Sequence, residues 1–187
     1  PCDIIVDNDW IRIYSASRIG EHDDIKKIKQ TNDITAKLSI SRLRKDGFCA
    51  FQSETDIGSL TLRPLISQGG DIVVNVETGK LGKIRAELRM IPSNKPVPGY
   101  ELDNCIPIYG NHVHRKIEWK ERKNIDALKD LPFRLYMELD QARLYSIRLN
   151  ADYLFGFVPQ INLAGEYIPN KRIRTGNEEI YKKAYKS

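Results

Sequence analysis

No apolar run in this sequence reaches the roughly 18 residues that a membrane-spanning helix needs. Cysteine is scarce: Cys2, Cys49 and Cys105 are an odd set, with no C-x-x-C and no metal-ligand spacing. The plain reading is buried or idle thiols. A Cys49–Cys105 bridge stays open for an exported protein, because spacing alone does not decide it. No signal peptide is recognisable, but the chain starts at Pro1 and not Met. A missing true N-terminus is therefore expected, and the compartment, extracellular or cytoplasmic, stays open.

Concentrated charge is lacking too. The formal net charge is +5, but Lys and Arg are scattered among 25 acids. The densest basic clusters are Arg42, Arg44, Lys45 and Lys171, Arg172, Arg174. A nucleic-acid binder wants one basic face with interleaved aromatics or a known motif, and neither is present, so the charges read as a solvated surface. There is no internal repeat and no low-complexity tract. No cofactor motif occurs either. Asp46-Gly47-Phe48 and Ser67-Gln68-Gly69-Gly70 read as turns, because strands follow them and not the helix N-terminus that a phosphate cradle requires.

What is abundant is alternation. Leu60 and Leu62 alternate with Thr61 and Arg63; Ile72, Val74 and Val76 with Val73 and Asn75; Ile84, Ala86, Leu88 and Met90 with Arg85, Glu87 and Arg89. The same period recurs at Ile117 and Trp119, at Phe133, Leu135, Met137 and Leu139, and at Tyr145, Ile147 and Leu149. A period of two over many short runs means strands with one buried and one wet face, and such clean alternation belongs to antiparallel sheets. Turn residues punctuate the runs: Gly47, Gly58, Gly69-Gly70, Gly79, Gly82, the stretch from Pro92 to Gly99, and Gly110. Asp140-Gln141 sits between two strands and reads as a tight hairpin. Length and pattern together predict two stacked antiparallel sheets whose inner faces hold Leu60, Leu62, Ile72, Val74, Leu88, Trp119, Leu135, Met137 and Ile147. Helix is scarce. Asn124 is placed to cap one short turn through Leu128 and Leu131, and Asn177 a helix in the tail.

The two ends read differently. Trp10 to Ser17 and Thr35 to Arg42 are two strands joined by a long polar loop, and two strands make no core alone. The tail from Asp152 is weakly patterned but aromatic. Tyr153, Phe155, Phe157 and Tyr167 suggest that it lies across something apolar. The chain therefore divides into residues 1–45, 46–150 and 151–187.

Several elements in order resemble a known family. Ser39 to Phe48 (SISRLRKDGF), Gly58 to Leu65 (GSLTLRPL), Gly69 to Val76, Pro96 to Cys105 (PVPGYELDNC), a strand with Trp119, and Pro132 to Arg148 (PFRLYMELDQARLYSIR) are similar to the last propeller blade and C-terminal β-sandwich of glycoside-hydrolase-like proteins, distant relatives of the invertase and levanase family. The resemblance runs from about Ile11 to Leu149. It implies an all-β chain: an antiparallel, jelly-roll or concanavalin-like sandwich with an N-terminal strand pair left from a β-propeller blade. In those proteins the propeller carries the acids, and retaining cleavage needs two carboxylates ~5 Å apart. The invertase elements W-x-N-D-P-N-G, R-D-P and E-C are absent here. The resemblance thus implies a non-catalytic accessory module that supports the propeller or binds carbohydrate. Its partners would be a polysaccharide or oligosaccharide and the missing propeller. A reading of a different class is an assembly module that pairs with a copy of itself.

The candidate carbohydrate contacts are Tyr100, Asp103, Asn104, Tyr109 and His112. Aromatic faces stack on sugar rings, and Asp and Asn bond hydroxyls. The competing reading is a long crossover loop whose Asp and Asn side chains bond their own backbone. His112 and His114 lie two apart and would share a strand face, but no third metal ligand is indicated, so they read as surface histidines. Trp119 is in step with Ile117 and reads as core.

Overall fold

The computed structural model describes residues 3–18, 36–91, 93–153, 160–161 and 167–168. The chain divides into two compact units, Pro1–Cys49 and Ala50–Ser187. It is all-β and antiparallel, as the alternation predicts, and of the β-sandwich class.

The first unit is a sheet of three strands, where the sequence suggests two. Strand β1 (Asp3–Asp7) pairs with β2 (Trp10–Arg18), which pairs with β3 (Ala36–Arg44). The β1–β2 turn is Asn8-Asp9, with Asn8 at φ 42°. Asn accepts this left-handed conformation better than most side chains, so the hairpin closes without glycine. Register sets the faces, since residues directly opposite share one. Ile4 stands opposite Ile13, Val6 opposite Ile11, and Ile11 opposite Leu43, giving one aliphatic face. The other face carries Tyr14 opposite Ile40 and Ala16 opposite Leu38, with the Arg42 guanidinium 4.0 Å from the centre of the Trp10 ring.

The second unit holds a seven-stranded sheet: β4 (Phe51–Ser53), β5 (Gly58–Thr61), β6 (Leu65–Ser67), β7 (Val73–Met90), β8 (Asn111–Lys116), β9 (Pro132–Arg148) and β10 (Ala151–Tyr153). The spatial order is β10-β6-β9-β7-β8, with β4 and β5 also paired along β9. Two short strands, β11 (Gln160–Ile161) and β12 (Tyr167–Ile168), pair with each other. Phe155, Phe157 and the tail helix expected from Asn177 lie outside the described residues.

Two expected turns are not turns. Asp140-Gln141 does not reverse the chain, and Gly79 and Gly82 do not end a strand. β7 and β9 run through both places as two long strands. Thr78 pairs with Ala142 and Lys83 with Asp140; between these pairs β7 has four residues, Gly79 to Gly82, and β9 has one, Gln141. This is a large bulge of four residues against one, and Gln141 sits opposite it in the left-handed region at φ 45°. A Cβ on Gly82 would collide with the carbonyl oxygens of Gln141 and Asp140, so only glycine fits there. The expected hairpin fails because bulges and turns use the same residue types.

The core is one cluster. Directly opposite pairs Ile84–Leu139, Ala86–Met137, Leu88–Leu135 and Met90–Phe133 are all buried. They meet Val97, Tyr100, Cys105, Ile108, Ile117, Trp119, Ile125 and Leu128, which come from the connection between β7 and β9. Ile72, Val74, Leu88, Trp119, Leu135 and Met137 of the expected inner faces are buried, while Leu60, Leu62 and Ile147 are half-buried against the cluster. The side chains that cover Leu88 and Met137 thus come largely from the connection between β7 and β9. A 3₁₀ turn forms over Asp126–Leu128 where one was expected, but its N-cap is Ile125, without a side-chain cap bond; Asn124 lies one residue earlier, its Oδ1 accepting from the Asp126 N–H (3.2 Å).

Leu88 is fully buried, whereas Leu81 stands on the bulge 82% exposed. Leu88→Ala should cost about 2–5 kcal/mol of stability by urea denaturation, and Leu81→Ala should stay within about 0.5 kcal/mol. Equal effects at both positions would refute this assignment of the core.

Candidate functional site

The carbohydrate contacts expected from sequence do not form one site. Tyr100 is fully buried, edge-on to Trp119 with ring centres 5.0 Å apart, and its hydroxyl donates to the Asn124 carbonyl (3.1 Å). Neither ring face is open to a sugar, so Tyr100 belongs to the core. Burial pushes its hydroxyl above the usual tyrosine range. Asp103 and Asn104 lie on a 3₁₀ turn, Leu102–Asn104. Asn104 donates to the Glu101 carboxylate, within its own turn. Asp103 is 96% exposed and pairs with Arg85 at 3.4 Å, an arrangement worth little in water. Tyr109 is exposed, and His112 Nε2 lies 2.8 Å from the Tyr109 carbonyl oxygen, across Gly110 at φ 89°. His114 Nδ1 contacts the Arg148 guanidinium at 2.7 Å, so the two histidines serve different partners. Among the described residues no cluster of His, Cys, Asp or Glu could hold a metal ion.

Cys49 and Cys105 are free thiols, Cys49 exposed and Cys105 buried. The bridge left open by the sequence is therefore not formed. Cys105 has a packing role, its sulfur accepting from the Ala86 N–H at 3.2 Å. Burial, offset in part by that hydrogen bond and by Arg85, pushes the Cys105 thiol up to about 11.

A cleft that sequence reading missed opens beside the bulge. Its volume is about 330 Å³, and it is lined by Gln52, Ser53 and Glu54 around β4, Glu77, Thr78 and Gly79 on β7, and Gln141 to Arg143 on β9. Register builds it. Gln52 stands opposite Arg143, and Arg143 opposite Glu77, so three strands place one side chain each in a row. These side chains are tied together. Gln52 Nε2 donates to Glu54 (2.6 Å), Arg143 Nε donates to Gln52 Oε1 (2.9 Å), and the Arg143 guanidinium lies 3.9 Å from Glu77. The Tyr145 hydroxyl donates to Glu77 Oε2 at 2.7 Å. Burial, and then the Glu77 carboxylate, push that hydroxyl up, so Tyr145 stays a donor at neutral pH. Nothing in the sequence announces the row, because its members are spread over some ninety positions and only the register brings them together.

The row offers amide, guanidinium and carboxylate groups to a neutral, hydroxyl-rich ligand. Two carboxylates against one guanidinium make it net negative, which disfavours anions. Its size is at the small end of ligand pockets, about 300–1,000 Å³. Glu54 is exposed and Glu77 faces Arg143. No family model, no curated protein and no solved structure matches this chain. The resemblance to the glycoside-hydrolase-like sandwich therefore rests on the ordered motifs alone.

Thiol labelling tests the cysteine assignments. At pH 8, iodoacetamide should modify Cys49 in the folded protein and reach Cys105 only in denaturant, as read by peptide mass spectrometry. Comparable labelling of both in the native state would contradict the burial of Cys105.

Proposed function

We propose that this chain is a non-catalytic β-sandwich accessory module of a glycoside-hydrolase-like protein, attached to the rest of that protein through its three-stranded sheet. One observation carries the reading. Ile4 (55% exposed), Val6 (59%), Leu38 (73%) and Ile40 (60%) leave apolar groups uncovered on both faces of that sheet, and among the described residues β1 and β3 are its edges. Exposed edges and contiguous apolar surface mark places that another protein surface covers. The last strands of a propeller blade, which this segment resembles, would be covered in that way by the missing propeller.

The polar cleft supplies the carbohydrate half of the proposal. Gln52, Glu77 and Arg143 are prearranged for hydroxyls, and ordering them costs a ligand little, since they already hold one another. Hydrolysis is not part of the reading: the purified chain should not turn over sucrose, fructans, arabinans or xylans above background.

A second reading, self-association, is favoured by the same uncovered sheet. Sedimentation and glycan-array binding on one preparation separate the two. The accessory module should bind an oligosaccharide, and Arg143→Ala should weaken that binding by about tenfold or more, the loss of 1.4 kcal/mol. A concentration-dependent dimer with no sugar bound on the array would sink the first reading and support the second. In that case the edge-strand amides of Ile4 to Val6 and Lys37 to Ile40 should gain protection from hydrogen exchange as protein concentration rises.

A further inference from the structure

The polar face of the second unit carries a row of arginines that neither the core nor the polar cleft uses. Arg89 on β7 stands directly opposite Arg134 on β9. On the other side of β9, Leu62 donates to the Leu135 carbonyl and Leu65 stands opposite Phe133, so Arg63 and Pro64 both lie against Arg134. Thr61 stands opposite Tyr136, and alternation from it turns Arg63 to the face of Arg134 and Arg89. In keeping with this, Arg63 is exposed and Pro64 is buried.

Like charges directly opposite one another destabilise a sheet, and no acid stands opposite Arg134 in the register on either side. Glu138 and Asp103 both meet Arg85, further along the ladder. Glu87 bonds Arg89 Nε at 2.7 Å and takes the Leu102 N–H (3.1 Å) with its other oxygen. Asp152, on β10 opposite Ile66, is two strands from Arg134. Arg89 is held in place without being used up. Its guanidinium lies 3.7 Å from the centre of the Tyr136 ring, and its side chain stays 23% exposed. Its two Nη groups make no hydrogen bond among the described residues, and neither does the Arg63 side chain.

We propose that this row binds a dianionic phosphate group, free or as the ester of a small molecule. Guanidinium forks match phosphate oxygens, and a tetrahedral dianion can meet two forks where a carboxylate fills one. Its two charges answer the excess of arginine over Glu87. The net-negative polar cleft disfavours the same ligand, so this site stands independently of the carbohydrate reading.

The test is to titrate inorganic phosphate into the full chain at pH 7.5, where phosphate groups are largely dianionic. Sodium chloride at matched ionic strength controls for screening. Phosphate should shift the side-chain Nε resonances of Arg89 and Arg134 saturably, and chloride should not. Arg89→Lys keeps the charge but loses the fork, and should weaken phosphate about tenfold or more. Arg63→Gln, at an exposed position that folding does not depend on, should weaken it about three- to tenfold. Lys80→Gln removes the same charge from the exposed bulge and should leave the affinity unchanged. Glucose 6-phosphate separates the two sources. Binding as tight as that of inorganic phosphate assigns the row to phosphate esters, and binding of inorganic phosphate alone assigns it to the free anion; either supports the proposal. It fails if phosphate gives no saturable shift or if chloride reproduces the shifts. It fails equally if Arg63→Gln and Lys80→Gln weaken binding alike.

Discussion

The second unit depends on the antiparallel ladder between β7 and β9. Every other strand of its seven-stranded sheet pairs with one of these two, except β10, which adds through β6. A long strand between two neighbours must have its backbone groups paired on both sides, because unpaired buried amides cost too much to keep. β9 supplies one side of β7. On the other side β8 serves Val73 to Glu77, and the connection after Met90 serves the rest. Ile84 exchanges both backbone bonds with Ile108, Leu88 accepts from Val97 and donates to Tyr100, and Met90 donates to Lys95. At Ala86 side chains take over: the N–H donates to the Cys105 sulfur, and the carbonyl accepts from the Trp119 indole at 3.1 Å. This completes the ladder without a regular strand, and it explains why so irregular a connection is so deeply buried.

That requirement also accounts for Trp119. Its ring fills the core beside Tyr100, and its one polar atom closes the gap in the β7 edge. A phenylalanine would keep much of the packing and leave the Ala86 carbonyl unpaired. The indole is favoured here because it joins a large apolar surface to a single donor. Tyr100 does the same on the opposite side of the pair, its hydroxyl holding the carbonyl of Asn124 and so fixing the approach to the 3₁₀ turn at Asp126.

Strand faces were legible in the sequence, because alternation reports burial directly. Ile84, Ala86, Leu88 and Met90 are all buried, and so are Phe133, Leu135, Met137 and Leu139. Strand length was not legible. Gly79, Gly82 and Gln141 make a bulge with the same residues that make turns, so two long strands read as four short ones. β1 was missed because five residues, Asp-Ile-Ile-Val-Asp, give no alternation to read. Tyr100 was misplaced for another reason. An aromatic among Pro, Gly, Asp and Asn looks like a surface loop, and only the need to pair the β7 edge draws that loop inside. The polar cleft was invisible because its row of Gln52, Arg143 and Glu77 is a product of register, and that register shifts at the bulge.

The two units differ in how they can be stable. The second encloses a cluster of fully buried aliphatic and aromatic side chains, enough to offset the entropy of ordering its strands. The first is a three-stranded sheet with Leu38 and Ile40 mostly exposed on one face and Ile4 and Val6 on the other. A small sheet gains independent stability only by packing a hydrophobic face against something. Its strong β-branched content and the Arg42–Trp10 contact favour the extended backbone, but neither replaces a core. An aliphatic face of Ile4, Val6, Ile11, Ile13 and Leu43 has the composition of a surface meant to be covered. Replacing exposed Ile4 and Val6 by threonine would keep the β-branched shape while removing much of the drive for association. The strand pattern and the apolar surface of this sheet are therefore separable, since one rests on side-chain shape and the other on side-chain polarity.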